Sequence, residues 1–131
     1  MYRQAWGDVD LGAVRDNTRA LAELAQPAAL LAVVKADGYG HGAAPVAKAA
    51  LDAGATWLGV ALVEEGAALR GEGIDAPILV LSEPPLPAAP VVVSERLTPV
   101  VYTPAGIEAL AKANVHADAP LPVHLKVDTG M

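Results

Sequence analysis

The stretch Leu30-Leu31-Ala32-Val33-Val34-Lys35-Ala36-Asp37-Gly38-Tyr39-Gly40-His41-Gly42 decides how this chain is read. Five apolar residues run directly into a lysine, which opens a segment punctuated by Gly38, Gly40 and Gly42. Hydrocarbon on both alternating faces predicts a strand in a sheet covered on both sides, as in parallel α/β folds. On the pleat, Leu31, Val33 and Lys35 share one face, and Leu30, Ala32 and Val34 the other. Lys35 thus falls at the carboxyl end of a buried strand, where α/β barrels carry their chemistry. An amine shielded from water loses part of its preference for the charged form and becomes a candidate nucleophile toward a carbonyl. The plainer alternative is a lysine that snorkels at a strand end. The three glycines let backbone come close to a ligand. They also predict free N–H groups at a helix N-terminus, a setting suited to phosphate.

Working outward, helical and strand patterns alternate. Residues 6–10 read as a short strand, and Asp10 as the N-cap of a helix whose apolar stripe is Leu11, Val14, Leu21 and Leu24 and which Pro27 stops. After the strand at 29–35 comes a helix at 43–53, with Pro45 in its first turn and Gly54 just past its end. Residues 57–62 read as a second buried strand. Residues 64–70 read as a helix with its acids first and Arg70 last, matching the macrodipole. A third strand covers 77–81. Residues 83–90 hold so many prolines that a loop or short turn is expected there. A fourth strand covers 97–102. Thr103-Pro104 then reads as an N-cap with Pro at N1 of a helix to about 113, and a fifth strand covers 122–128. Strands and helices succeed each other at the spacing of right-handed βα units. Two α/β architectures fit that rhythm: an open doubly wound sheet, or part of a (β/α)8 barrel.

The composition narrows the function classes. The chain has 131 residues, enough for one modest domain, and is 53% apolar with no Phe, so aliphatic side chains and alanine fill the core. A net charge of −6 and the lack of a basic cluster argue against nucleic acid as a partner. With no cysteine there is no disulfide framework or thiolate metal site. Neither His41 nor His124 has a second histidine at ligand spacing, so no metal is expected. No apolar run is long enough to span a membrane and the start has no signal core, so a cytoplasmic protein is expected. His41 reads as a helix-start residue and His124 as a hydrogen-bonded core residue.

Residues 32–42, Ala32-Val33-Val34-Lys35-Ala36-Asp37-Gly38-Tyr39-Gly40-His41-Gly42, closely resemble the pyridoxal 5'-phosphate (PLP) attachment segment of alanine racemases, PLP enzymes of fold type III. The opening Trp6-Gly7-Asp8-Val9-Asp10-Leu11, followed by Asn17, is also similar to the start of that family. The resemblance implies that residues 1–131 are the N-terminal part of the racemase barrel domain: α/β, a partial (β/α)8 TIM barrel of about the first five βα units, without the C-terminal β domain. It implies that Lys35 bonds to the cofactor aldehyde and is one of two catalytic bases, the one on the D-alanine face. Tyr39 gives its hydroxyl to the cofactor phosphate. Val33 and Leu81 are expected to face inward near the cofactor plane, although plain barrel core explains both nearly as well.

A second segment, His124-Leu125-Lys126-Val127-Asp128-Thr129-Gly130-Met131, looks like the second signature of the same family. His124, Lys126 and Asp128 share one strand face, expected to point into the barrel. On residue types alone, a salt bridge from Lys126 to Asp128 or another carboxylate accounts for an interior lysine. The resemblance implies instead a candidate carbamate on Lys126, which orients an arginine a few residues downstream. The sequence stops before that arginine, so the carbamate is not expected in this chain alone.

The implied parent enzyme is a homodimeric bacterial racemase that interconverts L- and D-alanine for peptidoglycan. Its second base is a tyrosine from the partner subunit's second domain, a role for neither Tyr2 nor Tyr102. The 131-residue chain is therefore expected to lack a complete active site. The alternatives are a related racemase for serine, lysine or several amino acids, a non-catalytic PLP-binding barrel, and a folding module without chemistry.

Overall fold

The computed structural model describes residues 5–117 and 119–130. In chain order the elements are α1 (Leu11–Ala25), β1 (Leu31–Val33), a helical turn at Lys35–Gly40, α2 (Ala43–Asp52), β2 (Trp57–Val60) and α3 (Val63–Gly71). Next come β3 (Ile78–Val80), a 3-10 turn (Leu86–Ala88), α4 (Ala89–Ser94), β4 (Thr98–Val101), α5 (Pro104–Ala113) and β5 (His124–Leu125). The strands are all parallel and stand in the order β1-β2-β3-β4-β5, with Leu31 opposite Trp57, Leu58 opposite Ile78, Leu79 opposite Thr98 and Val100 opposite His124. That order decides between the two architectures. A doubly wound sheet reverses direction at a switch point, whereas a barrel adds each strand beside the one before it.

The sheet buries one face fully. Val34, Leu58, Val60, Ile78, Val80 and Val101 alternate onto the side covered by helices, where they meet Ala47 of α2, Leu69 of α3, Val92 of α4 and Leu110 of α5. Burying each such aliphatic side chain is worth about 1.5–3 kcal/mol. The opposite, inner face is more open: Val33 is 36% exposed there. The local signals at the helix ends act as read. Asp10 accepts from the amides of Gly12 and Ala13 at 2.8 and 3.1 Å, and Thr103 from that of Gly106 at 3.0 Å. Past α2, Gly54 at φ +114 closes a Schellman motif, with its amide on Leu51 O and that of Ala55 on Ala50 O.

Besides β1, which is Leu31–Val33 rather than 29–35, three elements differ from the sequence reading. Residues 6–10 form no strand; they pair with nothing in the sheet, and Trp6 is 79% exposed. In the proline-rich segment, residues 83–85 are loop and 86–88 a short 3-10 turn, as read, but α4 already starts at Ala89. Pro87 and Pro90 both sit at the second position of their helices, where the N–H would have no intrahelical acceptor in any case. The fifth strand is two residues rather than seven, because β4 ends at Val101. Beyond it the ladder adds only the Lys126 amide on Val101 O.

Candidate active site

Lys35 stands just past β1 rather than inside it, at the carboxyl end of the sheet and half-buried. Immediately after it the backbone makes a turn of left-handed helix. Ala36, Asp37, Gly38 and Tyr39 all have φ between +51 and +62 and ψ between +35 and +51. Each non-glycine residue in that conformation costs roughly 1–2 kcal/mol, so the surroundings must hold it. The Gly38 amide closes the turn on Val34 O at 2.9 Å, and the Gly42 amide bonds to Asp37 O at 2.9 Å. Gly38 is buried, and a Cβ there would stand 3.3 Å from the Ala43 backbone. The Asp37 carboxylate takes the Ala43 amide at 2.8 Å and so caps α2. The amides of Gly38 and Gly42 are therefore spent on the turn, which corrects the expectation that they are free for a phosphate.

The left-handed turn has a chemical result. Four residues make about one helical turn, so Tyr39 comes back over Lys35. The Lys35 ammonium lies 5.9 Å from the centre of the Tyr39 ring, within cation–π range. Among the described residues Lys35 has no carboxylate within ion-pair distance, and the exposed Tyr39 hydroxyl donates to no protein acceptor. Below them the inner face is apolar. Leu31, Val33 and Leu81 converge over Gly59: a Cβ on that glycine would meet their side chains at 2.7, 3.4 and 3.5 Å. The structure thus pairs Lys35 with Tyr39 at the carboxyl end of β1, and Val33 with Leu81 beside Gly59.

Lys126 is exposed, as are His124 and Asp128. His124 does face inward, its ring 5.9 Å from that of Trp57. Instead of a hydrogen-bonded core histidine it is an exposed one in ring contact. His41 directs Nδ1 at Gly38 O, 2.9 Å away, and so belongs to the turn. No group of three or more His, Asp or Glu side chains among the described residues converges as a metal site.

Two carboxylates that the sequence reading left without a site role organise the loops at this end. Glu65 accepts from the amides of Ala36, Ala61 and Leu62 at 2.6, 2.8 and 3.0 Å, tying the loop after β1 to the loop after β2. Burial alone would raise its pKa. The three amides and the nearby Lys35 charge outweigh burial and bring it below the usual carboxylate value. Glu83 does the same one pair of strands further on, accepting from the amides of Tyr102 and Thr103 at 2.7 and 2.8 Å and from the Thr103 hydroxyl at 2.6 Å. Desolvation opposes ionisation there too, but the Thr103 hydroxyl and the two amides outweigh it and lower the pKa. The one sequence signal was Glu65 at the third position of a helix, half of a capping box.

The comparisons with known proteins bear on the family and the fold. The family profile "Alanine racemase, N-terminal domain" matches residues 9–131. The alanine racemase of Symbiobacterium thermophilum is 51% identical over 129 residues, covering 98% of this chain and 34% of that protein. That of Desulfovibrio desulfuricans is 45% identical over 130 residues, covering 98% and 35%. Among solved structures, alanine racemase from Bacillus anthracis with bound L-Ala-P superposes with a TM-score of 0.88 at 36% identity, covering all of this chain and 34% of that one. The alanine racemase from E. faecalis gives 0.87 at 42% identity, covering 94% and 34%. The chain spans about a third of the length of the curated relatives it matches. With the sequential parallel strands, the lysine at their carboxyl end and this breadth of match, the chain belongs to the alanine racemase N-terminal domain family.

Proposed function

We propose that this chain is the PLP-binding part of an alanine racemase and that Lys35 anchors the cofactor. The observation that carries the reading is the pairing of an amine, free of any ion pair among the described residues, with a phenol folded back over it at the carboxyl end of parallel strands. The residues fit the group. Lys35 supplies the amine for an aldehyde, Tyr39 an uncommitted donor for a phosphate, and Val33 and Leu81 an apolar wall for a ring. Bound there, PLP supplies an electron sink that stabilises the carbanion left when an α-proton departs.

The protein's own part is placement and proton transfer. Lys35 would take or return the proton on one face of the substrate's Cα. Racemisation needs a second base on the opposite face. We assign that base, the substrate carboxylate's partner and the homodimer contact to the remaining length seen in the relatives. Lys126 is the candidate carbamate position. Its exposure here leaves such an anion in water, so the modification belongs to a state in which further chain covers that face. The role is cytoplasmic supply of D-alanine for the cell wall; no helix among the described residues is long and apolar enough to cross a membrane.

Borohydride reduction of the chain with PLP, followed by peptide mapping, tests the assignment. The label is expected on Lys35 and absent from Lys35→Ala; labelling spread over surface lysines refutes it. D-alanine formation by the 131-residue chain is expected to be negligible, and robust turnover overturns the placing of the second base elsewhere.

A further inference from the structure

We infer that Glu65 is a positioning residue for Lys35, holding the peptide that follows the lysine so that amine and phenol face the same ligand. The inference rests on the reading of Lys35 as the cofactor anchor. Glu65 divides its two oxygens. Oε2 takes the amides of Ala61 and Leu62, which fixes the carboxylate to the start of α3. Oε1 crosses 29 positions of sequence to the Ala36 amide at 2.6 Å. That amide is half of the peptide plane joining Lys35 to Ala36, so its direction sets the path by which Lys35 leaves β1.

Ala36 is also the first left-handed residue of the turn, at φ 51 and ψ 51. The first amides of any helical turn have no acceptor within it. An unsatisfied Ala36 amide would let this residue relax toward the right-handed or extended conformations that alanine prefers. Tyr39 would then no longer return over Lys35. The carboxylate therefore selects the unusual turn and, through it, the shared direction of the two ligand groups. Glu65 touches neither the amine nor the phenol in a hydrogen bond or ion pair; beside the charge it places near Lys35, its hold on the lysine is through the backbone.

The test uses two variants and one control. Glu65→Asp is one methylene shorter, keeping the bonds at the start of α3 and losing the reach to Ala36. Glu65→Gln keeps the length and loses the charge. Glu83→Gln weakens the equivalent clasp between β3 and β4, away from Lys35. Amide exchange at Ala36 is expected to speed up about tenfold or more in the Glu65 variants, the scale of a lost charge-assisted hydrogen bond. Borohydride trapping at Lys35 under saturating PLP is expected to slow by a similar factor, and Glu83→Gln to trap at the wild-type rate. A Glu65 variant that loses Ala36 protection yet traps at the wild-type rate overturns the inference. So does unchanged Ala36 protection in both variants, or equal slowing in Glu83→Gln. If the wild-type chain itself takes no label at Lys35, the failure lies in the reading of the lysine.

Discussion

Replacing Arg70 with methionine should loosen the approach to two strands at once and cost the chain a large share of its stability. Arg70 ends α3, and its guanidinium reaches four main-chain carbonyls: Glu95 O at 2.9 Å from Nε, Ile74 O and Ala76 O at 2.6 and 2.8 Å from Nη1, and Arg96 O at 3.0 Å from Nη2. Two of these lie just before β3 and two just before β4, so one side chain fixes the approach to both strands. Methionine keeps much of the apolar stem and removes every donor. Arg70 is half-buried, so water recovers part of each bond; at about 0.5–1 kcal/mol per carbonyl the loss is roughly 2–4 kcal/mol. Urea denaturation followed by far-UV circular dichroism, with unchanged m-value, reads it directly. Arg70→Lys retains the charge but not the fork, and should recover less than half of the loss. A Met variant within about 0.5 kcal/mol of wild type, the range of an ordinary surface change, would show that solvent serves these carbonyls equally well. A Lys variant as stable as wild type would show that charge, not geometry, carries the effect.

Two further expectations concern the Glu83 clasp. Its folded-state pKa lies below the ordinary 4.5, so its contribution is fully present above that value and is lost as pH falls through the lowered one. The melting-temperature gap between wild type and Glu83→Gln should accordingly be widest at neutral pH and close as pH drops well below 4.5; a gap that widens in acid contradicts the assignment. Gly106→Ala places a Cβ 2.6 Å from Glu83 Cδ and 2.7 Å from Oε2, which breaks the clasp and should cost about 1–3 kcal/mol, measured by denaturation. In a Glu83→Ala background the obstruction is gone. The same change should there be neutral or stabilising by up to about 1 kcal/mol, since alanine is the better helix former.

What could be read from the sequence was what depends on neighbours in the chain. Asp10, Gly54 and the Thr103-Pro104 pair gave the right helix ends because capping is settled within a few residues. Lys35 and Tyr39 were found as a pair through a motif. The turn that joins them was not found, because two of its left-handed positions are Ala36 and Tyr39, which prefer other conformations. Glu65 looked like one of two acids suited to a helix dipole, and Glu83 like the start of a proline loop. Their partners lie 29 and 19 positions away, and nothing local encodes such a distance. Apart from the short strand misread at 6–10, periodicity predicted the five strands but not their order, since barrel and doubly wound sheet share the same alternation. The prolines of residues 83–90 hid the start of α4 at Ala89 for the opposite reason. Their number was weighed and their positions were not, and Pro87 and Pro90 stand where a helix tolerates them.

The order in which the strands stand also bears on how the chain acquires its shape. Every strand pairs with the one made just before it, and ladder partners lie only about 19 to 26 positions apart. Each closure is thus of modest length, and no strand has to wait for a distant one to complete its pairing. Structure can accrete unit by unit from the amino end as the polypeptide lengthens during synthesis. The lysine turn, lying between the first two strands, is among the earliest parts to find all its supports: the Ala36 acceptor is in place once α3 has started.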